Sequence, residues 1–160
     1  MLPAVDQLKA SIERGSPGVS ITVEGASLRV QPQDLLRVCQ WLRTSPDFQM
    51  DYVSNLTAVD YPPDPAAGGA GRMDMVYHLY SMTKKHGPVS LKVTLPRGNP
   101  VIESLTNVYR GAEFQEREVY DLFGVTFEHH PDLRRILMWD GFKGHPMRKD
   151  YVPEDQDAPA

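Results

Sequence analysis

The chain has 160 residues, with 17 lysines and arginines against 21 aspartates and glutamates, and a formal net charge of -4. An acidic balance argues against general nucleic-acid binding, because phosphate recognition requires excess positive charge. Its single cysteine, Cys39, excludes an internal disulfide and a cysteine-ligated zinc or iron–sulfur site within one chain. The apolar runs are too short to span a bilayer and the N-terminus lacks the apolar segment of a secretory signal, so we expect a cytoplasmic protein without direct membrane insertion.

The first part of the chain predicts a helix, a hairpin and a second helix. Apolar residues at helical spacing over residues 5–12 predict a first helix that ends at Gly15. Alternating apolar residues between positions 19 and 30 predict a hairpin that turns at Gly25. Pro32 suits the first position of a second helix, and the Ser45-Pro46 pair ends it.

The middle of the chain predicts three strands, over residues 48–61, 73–79 and 89–95, because apolar and polar residues alternate there. The proline- and glycine-rich segment 61–71 predicts an exposed, mobile loop, and residues 84–87 predict a hairpin loop.

Two further helices follow in the prediction. The first carries the apolar residues of 101–109 after the Asn99-Pro100 pair, and the second runs from 112 to 123 and ends at Gly124. Helices and strands do not alternate regularly, so the expected class is α+β, an antiparallel sheet with helices packed on it.

After Gly124 the chain combines prolines and glycines with large apolar and arginine residues, which is the composition of a protein interface. We therefore expect three regions. Residues 1–123 form a compact α+β body, residues 124–153 an extended, irregular partner-binding segment (the C-terminal arm), and residues 154–160 a disordered acidic tail.

Two chemical functions compete with an interface. His130, Asp132 and His145 are the candidate ligands of a stand-alone metal hydrolase, but the histidines lack the HxxxH spacing of a zinc site, and hydrogen-bonding histidines in turns are favoured.

Acid–base catalysis is the other alternative. Glu113, Glu116, Glu118 and Asp121 share the last predicted helix, yet Arg117 and Asp121 are spaced for an ion pair, so a solvated or ion-paired face is favoured over a catalytic pair. Cys39 lies on the apolar face of the second helix, as expected of a buried structural residue.

Basic and acidic residues are nearly balanced between positions 110 and 151, with seven of the former and eight of the latter interleaved with aromatic residues. This pattern favours a specific protein partner that carries both charges. The residues expected at this interface are Glu116, Arg117, Glu118, Asp121, His130, Asp132, Arg134, Arg135, His145, Arg148, Lys149 and Tyr151.

Two blocks of sequence carry a family resemblance, EREVYDLFGVTFEHHPDLRRIL at 116–137 and GHPMRKDY at 144–151. Together they closely resemble the C subunit of the proton-pumping NADH:quinone oxidoreductase, respiratory complex I, which lies in the peripheral arm of that complex. The chain departs from the family pattern at Phe114, where a tryptophan is usual, and at His129, where a glycine is usual. The second departure places a side chain where backbone freedom is expected.

The resemblance implies a non-catalytic, hydrophilic subunit on the cytoplasmic side of the inner membrane. It would support the quinone-reducing module during electron transfer from NADH to quinone, coupled to proton translocation. It implies no cofactor in this chain, since flavin, iron–sulfur clusters and quinone are held by partner subunits. The implied partners are chiefly the D subunit and its neighbours. Two alternatives remain open. One is the equivalent subunit of a ferredoxin-linked or membrane-bound hydrogenase complex, and the other is a free-standing structural domain.

Overall fold

A computed structural model describes residues 2–64 and 69–153. Its helices are α1 (Val5–Gly15), α2 (Leu35–Thr44) and α3 (Ala112–Phe123), and a 3-10 turn (Pro32–Asp34) precedes α2. Its strands are β1 (Ile21–Glu24), β2 (Ser27–Val30), β3 (Tyr52–Tyr61), β4 (Arg72–Ser81), β5 (His86–Pro96), β6 (Val101–Glu103) and β7 (Thr126–Glu128).

Five strands form the main sheet in the order β1-β2-β5-β4-β3, and β6 and β7 form a separate two-stranded sheet. The neighbours in the main sheet are antiparallel except β2 and β5, which are parallel. The α+β class is therefore confirmed, with a mostly antiparallel sheet, as is the irregular segment that follows it. The parallel pair joins strands far apart in sequence, which alternation within each strand cannot predict.

Both outer strands of the main sheet have a backbone N–H capped by a side chain. Glu13 of α1 accepts from the N–H of Ile21 at 3.4 Å, and Gln115 of α3 accepts from the N–H of Leu56 at 2.7 Å. These bonds occupy donors that an edge strand otherwise presents to another chain.

The core lies between the helices and one face of the main sheet. Met75, Tyr77 and Leu91 on that face are fully buried, as is Cys39 of α2. Burial raises the pKa of the Cys39 thiol well above its usual value, with a smaller contribution from Glu116. The prediction that Cys39 is a buried core residue is confirmed.

The predicted helix over residues 101–109 is wrong. Residues 101–103 form β6, which pairs in parallel with β7, and both strands were missed. Residues 101–103 form a strand because the distant segment β7 pairs with them. The residues that follow turn around Glu116, which accepts from Ser104 Oγ and from the N–H of Leu105.

Two predicted boundaries also shift. The third strand begins at Tyr52 rather than at residue 48, because Gln49 has a positive φ of 45° that interrupts the extended chain. The hairpin loop after β4 occupies residues 82–85, and Asp51 accepts hydrogen bonds from the N–H groups of Met82 and Thr83 there.

Helix α3 ends as predicted at Gly124, which has a φ of +76°. A Cβ atom at this position would lie 2.6 Å from the ring of His145, so a glycine is required by both conformation and space. The predicted mobile loop includes residues 65–68, and the predicted disordered tail is residues 154–160. Both segments lie outside the described residues.

Candidate partner-binding arm

The C-terminal arm contains β7 and then, from His129 to residue 153, no helix or strand. It is nevertheless attached to the body by side chains of α3 at its beginning and centre, and by a buried ion pair at the end of the main sheet. The division at residues 123 and 124 stays a prediction, since β7 pairs with β6 and the irregular part begins after Glu128.

Asp121 holds the centre of the C-terminal arm. Its buried carboxylate accepts from the N–H groups of Ile136, Leu137 and Met138 at 3.0, 2.8 and 2.8 Å. Arg135 donates to the other carboxylate oxygen at 2.6 Å. A single side chain therefore fixes the backbone of three successive residues.

The charge of Asp121 is maintained by these bonds. Burial alone raises the pKa of its carboxyl group, but the N–H of Met138 and the Arg135 guanidinium, together with the neighbouring N–H groups, outweigh burial and lower the pKa below its ordinary value.

Arg117 attaches the preceding segment. It is buried, and its guanidinium donates to the backbone carbonyls of Arg134 and Arg135 at 3.2 and 3.1 Å. It also lies 3.7 Å from Asp132. The expected ion pair between Arg117 and Asp121 is therefore wrong, because each of these side chains turns towards the C-terminal arm instead.

His130 attaches the beginning of the C-terminal arm. Its Nδ1 accepts from the N–H of Asp132 at 3.0 Å, and its Nε2–H donates to the carbonyl of Glu113 at 3.0 Å. These two bonds require the neutral imidazole with the proton on Nε2. The buried ring lies 4.0 Å from the carboxylate of Glu116.

Glu116 belongs to the core rather than to a solvated face, which corrects the sequence-based interpretation. Its side chain is fully buried between Ser104 Oγ at 2.6 Å and the N–H of Leu105 at 2.7 Å. Burial raises the pKa of Glu116 to about 7, against the lowering effect of these two hydrogen bonds.

A buried ion pair holds the end of the C-terminal arm. Arg97, directly after β5, makes two hydrogen bonds to Asp60 of β3, at 2.6 and 2.9 Å, and also binds Asp150. The N–H of Lys149 donates to Asp60 at 2.7 Å. The Arg97 guanidinium lowers the pKa of Asp60 more than burial raises it.

Asp60 and Arg97 were missed as site residues by the sequence analysis. They lie at strand ends in different parts of the chain, so their pairing is not visible in the sequence.

All but one of the remaining predicted residues fall into two groups. His145 and Arg148 bind the body, since His145 Nδ1–H donates to the carbonyl of Asp121 at 3.0 Å and Arg148 donates to the carbonyl of Arg97 at 3.2 Å. The exposed group consists of Glu118, Asp132, Arg134 and the side chain of Lys149. Tyr151 stacks on Phe142, with ring centroids 6.0 Å apart.

Several apolar side chains of the C-terminal arm are exposed, whereas Val125 and Phe127 belong to the buried core. Leu137 and Trp139 are 56% and 52% exposed, and Met147 is 54% exposed. We call these three side chains the apolar patch. None was named as a site residue from the sequence, although the composition of the segment indicated an interface.

His129 occupies the position where a glycine was expected, and its φ is +60°. This left-handed conformation favours glycine. The exposed ring donates from Nδ1 to Glu103 at 2.9 Å. The turn therefore keeps a glycine-like backbone and adds a contact to β6.

The ring contacts of His130 bear on the hydrolase alternative, because both of its nitrogens are occupied by the backbone. Within residues 2–64 and 69–153, no three histidine, cysteine or carboxylate side chains come together as a metal site requires. In the same ranges, no helix is long and apolar enough to cross a membrane.

Comparisons with solved structures concern the fold. A chain of the membrane-bound sulfane sulfur reductase, an archaeal respiratory membrane complex, matches with a TM-score of 0.70 and 22% identity, over 97% of this chain and 98% of that one. The trypsin-resistant fragment (1-134) of Nqo5 matches with a TM-score of 0.56 and 26% identity, over 82% of this chain and all of that one. By architecture, the chain is therefore of the α+β class that these proteins represent.

Comparisons of sequence give the family. The family described as "Respiratory-chain NADH dehydrogenase, 30 Kd subunit" matches residues 28–157. The second NADH-quinone oxidoreductase C subunit of Rhizobium meliloti (strain 1021) is 40% identical over 76% of this chain, which spans 63% of that relative. The NADH-quinone oxidoreductase C subunit of Roseiflexus sp. (strain RS-1) is 36% identical over 91% of this chain and 80% of its own length. The chain belongs to the family of respiratory-chain NADH dehydrogenase 30 kDa subunits.

Proposed function

We propose that the chain is a hydrophilic, non-catalytic subunit of an NADH:quinone oxidoreductase. It supports the quinone-reducing module on the cytoplasmic side of the membrane while partner subunits hold flavin, iron–sulfur clusters and quinone. Membership of the 30 kDa subunit family and relatives named as C subunits support this function. Within it, the C-terminal arm binds a partner protein of the complex, chiefly the one that corresponds to the D subunit.

The observation that carries this proposal is an apolar patch on a backbone that is already fixed. Asp121 binds the N–H groups of residues 136–138, so Leu137 and Trp139 are exposed at defined positions. Association costs less when the interacting segment needs no ordering, and buried aromatic side chains contribute strongly to protein interfaces.

Exposed charged groups of both signs lie close in sequence to Leu137 and Trp139. Asp132 and Arg134 are exposed and bind each other at 2.9 Å, and Asp140 is also exposed. An apolar centre with a charged rim is typical of a specific protein interface. The charges would orient the partner, while Leu137 and Trp139 contribute most of the affinity.

Assembly of the complex tests this role. Leu137→Ser and Trp139→Ala each remove one exposed side chain of the apolar patch, and Met82→Ala removes a side chain that is 65% exposed on the β4–β5 hairpin. We expect less assembled complex on native gels for the first two variants and a normal amount for the third, with unchanged circular dichroism of the free chains. Normal assembly of both patch variants would refute the proposed role of the C-terminal arm.

A related membrane-bound complex is the second candidate, since the fold also matches a chain of the sulfane sulfur reductase complex. The sequence relatives at 36–40% identity, which are named NADH-quinone oxidoreductase subunits, favour the first. Mass spectrometry of proteins that co-purify with the tagged chain from native membranes decides between them. NADH-binding subunits would support the first candidate, and hydrogenase-type or ferredoxin-linked subunits would support the second.

A further inference from the structure

Glu116 and His130 form a buried pair at the junction between the body and the C-terminal arm. Glu116 lies on α3 and His130 on the C-terminal arm, the two side chains are fully buried, and Glu116 Oε2 lies 4.0 Å from His130 Nε2. Each side chain also binds backbone, Glu116 on the turn after β6 and His130 at Asp132 and Glu113.

The surroundings of Glu116 offer little compensation for a charge. The groups that face it are Glu103 of β6 and Ser104 directly after it, Cys39 of α2, Tyr77 of β4 and His130. Among the described residues, no lysine or arginine forms an ion pair with it. An ionised carboxylate in this place is therefore costly, and a protonated one keeps both hydrogen bonds by donating to Ser104 Oγ.

The ring of His130 lies against this carboxyl group. If the first turn of the C-terminal arm lifts from α3, the ring leaves and water reaches Glu116. The proton affinity of Glu116 then differs between the attached and the lifted states, and the two equilibria are linked.

We propose that Glu116 and His130 form a proton-responsive latch, which holds the first turn of the C-terminal arm on the body while both side chains are neutral and loosens when Glu116 ionises. The sign follows from linkage. An acid that binds its proton more tightly in the attached state favours attachment below its pKa, so attachment weakens as pH rises through about 7. The latch is a property of the free chain and does not depend on which partner the C-terminal arm binds.

Hydrogen exchange of the Asp132 amide in the full chain tests the latch. This amide donates to His130 Nδ1, and the ring is fixed in place by its second bond, from Nε2–H to the carbonyl of Glu113 on α3. Protection factors, which remove the intrinsic pH dependence of exchange, are compared at about pH 6.5 and about pH 8.5, on either side of the Glu116 pKa. If lifting lowers the pKa of Glu116 by about one unit, protection falls about threefold between these values. The ring nitrogen shifts of His130 show whether the imidazole stays neutral at both.

Glu116→Gln retains an acceptor for Leu105 and a donor for Ser104 but cannot ionise, so its protection should not change with pH. Glu118→Gln changes an exposed carboxylate on the same helix and should keep the wild-type fall. A wild-type protein with constant protection, or a Glu116→Gln variant with the same fall, would overturn the latch.

If Glu116→Gln does not fold, the carboxyl carbon shift of Glu116 in the wild-type chain decides. A titration midpoint near pH 7 is the expected result, and a midpoint near the ordinary value of about 4.3 overturns the proposal. These measurements use the free chain, whereas the proposed function is tested by assembly. The latch can therefore fail while the proposed function holds, and the proposed function can fail while the latch holds.

Discussion

Replacement of Asp121 by asparagine should release the centre of the C-terminal arm while the body stays folded. The asparagine oxygen can still accept from the N–H groups of residues 136–138, but without the charge that strengthens these bonds. Hydrogen bonds to a charged group contribute about 1.5–3 kcal/mol each, against about 0.5–1.5 kcal/mol for neutral groups. The amide group also faces Arg135 with a donor, so this largely buried cation loses its carboxylate partner.

The loss of charge at four donors gives an expected cost of about 3–5 kcal/mol for local attachment, in the range measured when one partner of a buried ion pair is removed. Each 1.4 kcal/mol is about a tenfold change in an equilibrium constant, so protection of the Leu137 and Met138 amides from hydrogen exchange should fall by about 100-fold or more.

Hydrogen exchange measured by mass spectrometry or NMR on the free chain gives the fall in amide protection directly. Glu118→Gln, on the exposed side of the same helix, is the matched control and should leave the amides protected. Equal protection in the wild type and in Asp121→Asn would refute the reasoning that the carboxylate holds this segment.

The same site has a defined pH dependence. The pKa of Asp121 is lower in the folded protein than its ordinary value of about 3.9. Its contribution to stability is therefore present above about pH 4 and is lost as pH falls through the folded pKa. In Asp121→Asn the acidic loss of protection at the Leu137 and Met138 amides should be absent.

Two further predictions concern the stability of the folded chain. Tyr77 carries a buried hydroxyl without a hydrogen-bond partner in the described part of the chain. A buried unsatisfied group costs about 1–3 kcal/mol, so Tyr77→Phe should leave the free energy of unfolding in urea unchanged or raise it. A free energy of unfolding lower by more than about 1 kcal/mol would show that the hydroxyl is bound. His129→Gly relieves a positive φ but removes the contact to Glu103, so these effects of about 1 kcal/mol each should nearly cancel. His129→Val, which keeps the strain and removes the contact, should be clearly less stable in the same urea titration.

The helices and the three long strands could be predicted from periodicity, because their buried faces follow the geometry of each element. The segment at residues 101–109 could not, because its apolar residues are compatible with a helix and only the distant partner β7 selects a strand. The parallel pairing of β2 with β5 could not be predicted for the same reason, since it depends on tertiary context.

The charged residues of the C-terminal region were recognised from the sequence, but their contacts were not. Arg117 and Asp121 have the spacing of an ion pair on a helix, yet both bind the backbone of residues 134–138. Residue type and spacing indicate that a charge needs a partner, but they do not indicate whether the partner is a neighbouring turn, a distant segment or another protein. The role of these residues in binding a partner stays a prediction.

The ion pair of Arg97 with Asp60 and Asp150 has a consequence for what happens when one attachment of the C-terminal arm opens. Together with Asp121 it attaches the segment at two points, so the segment is a closed loop and not a free tail. If one attachment opens, the loose end stays at an effective concentration of the order of millimolar, and the closure entropy changes only slowly with length. An opened attachment therefore re-forms readily while the other still holds, which keeps Leu137 and Trp139 at defined positions on the body.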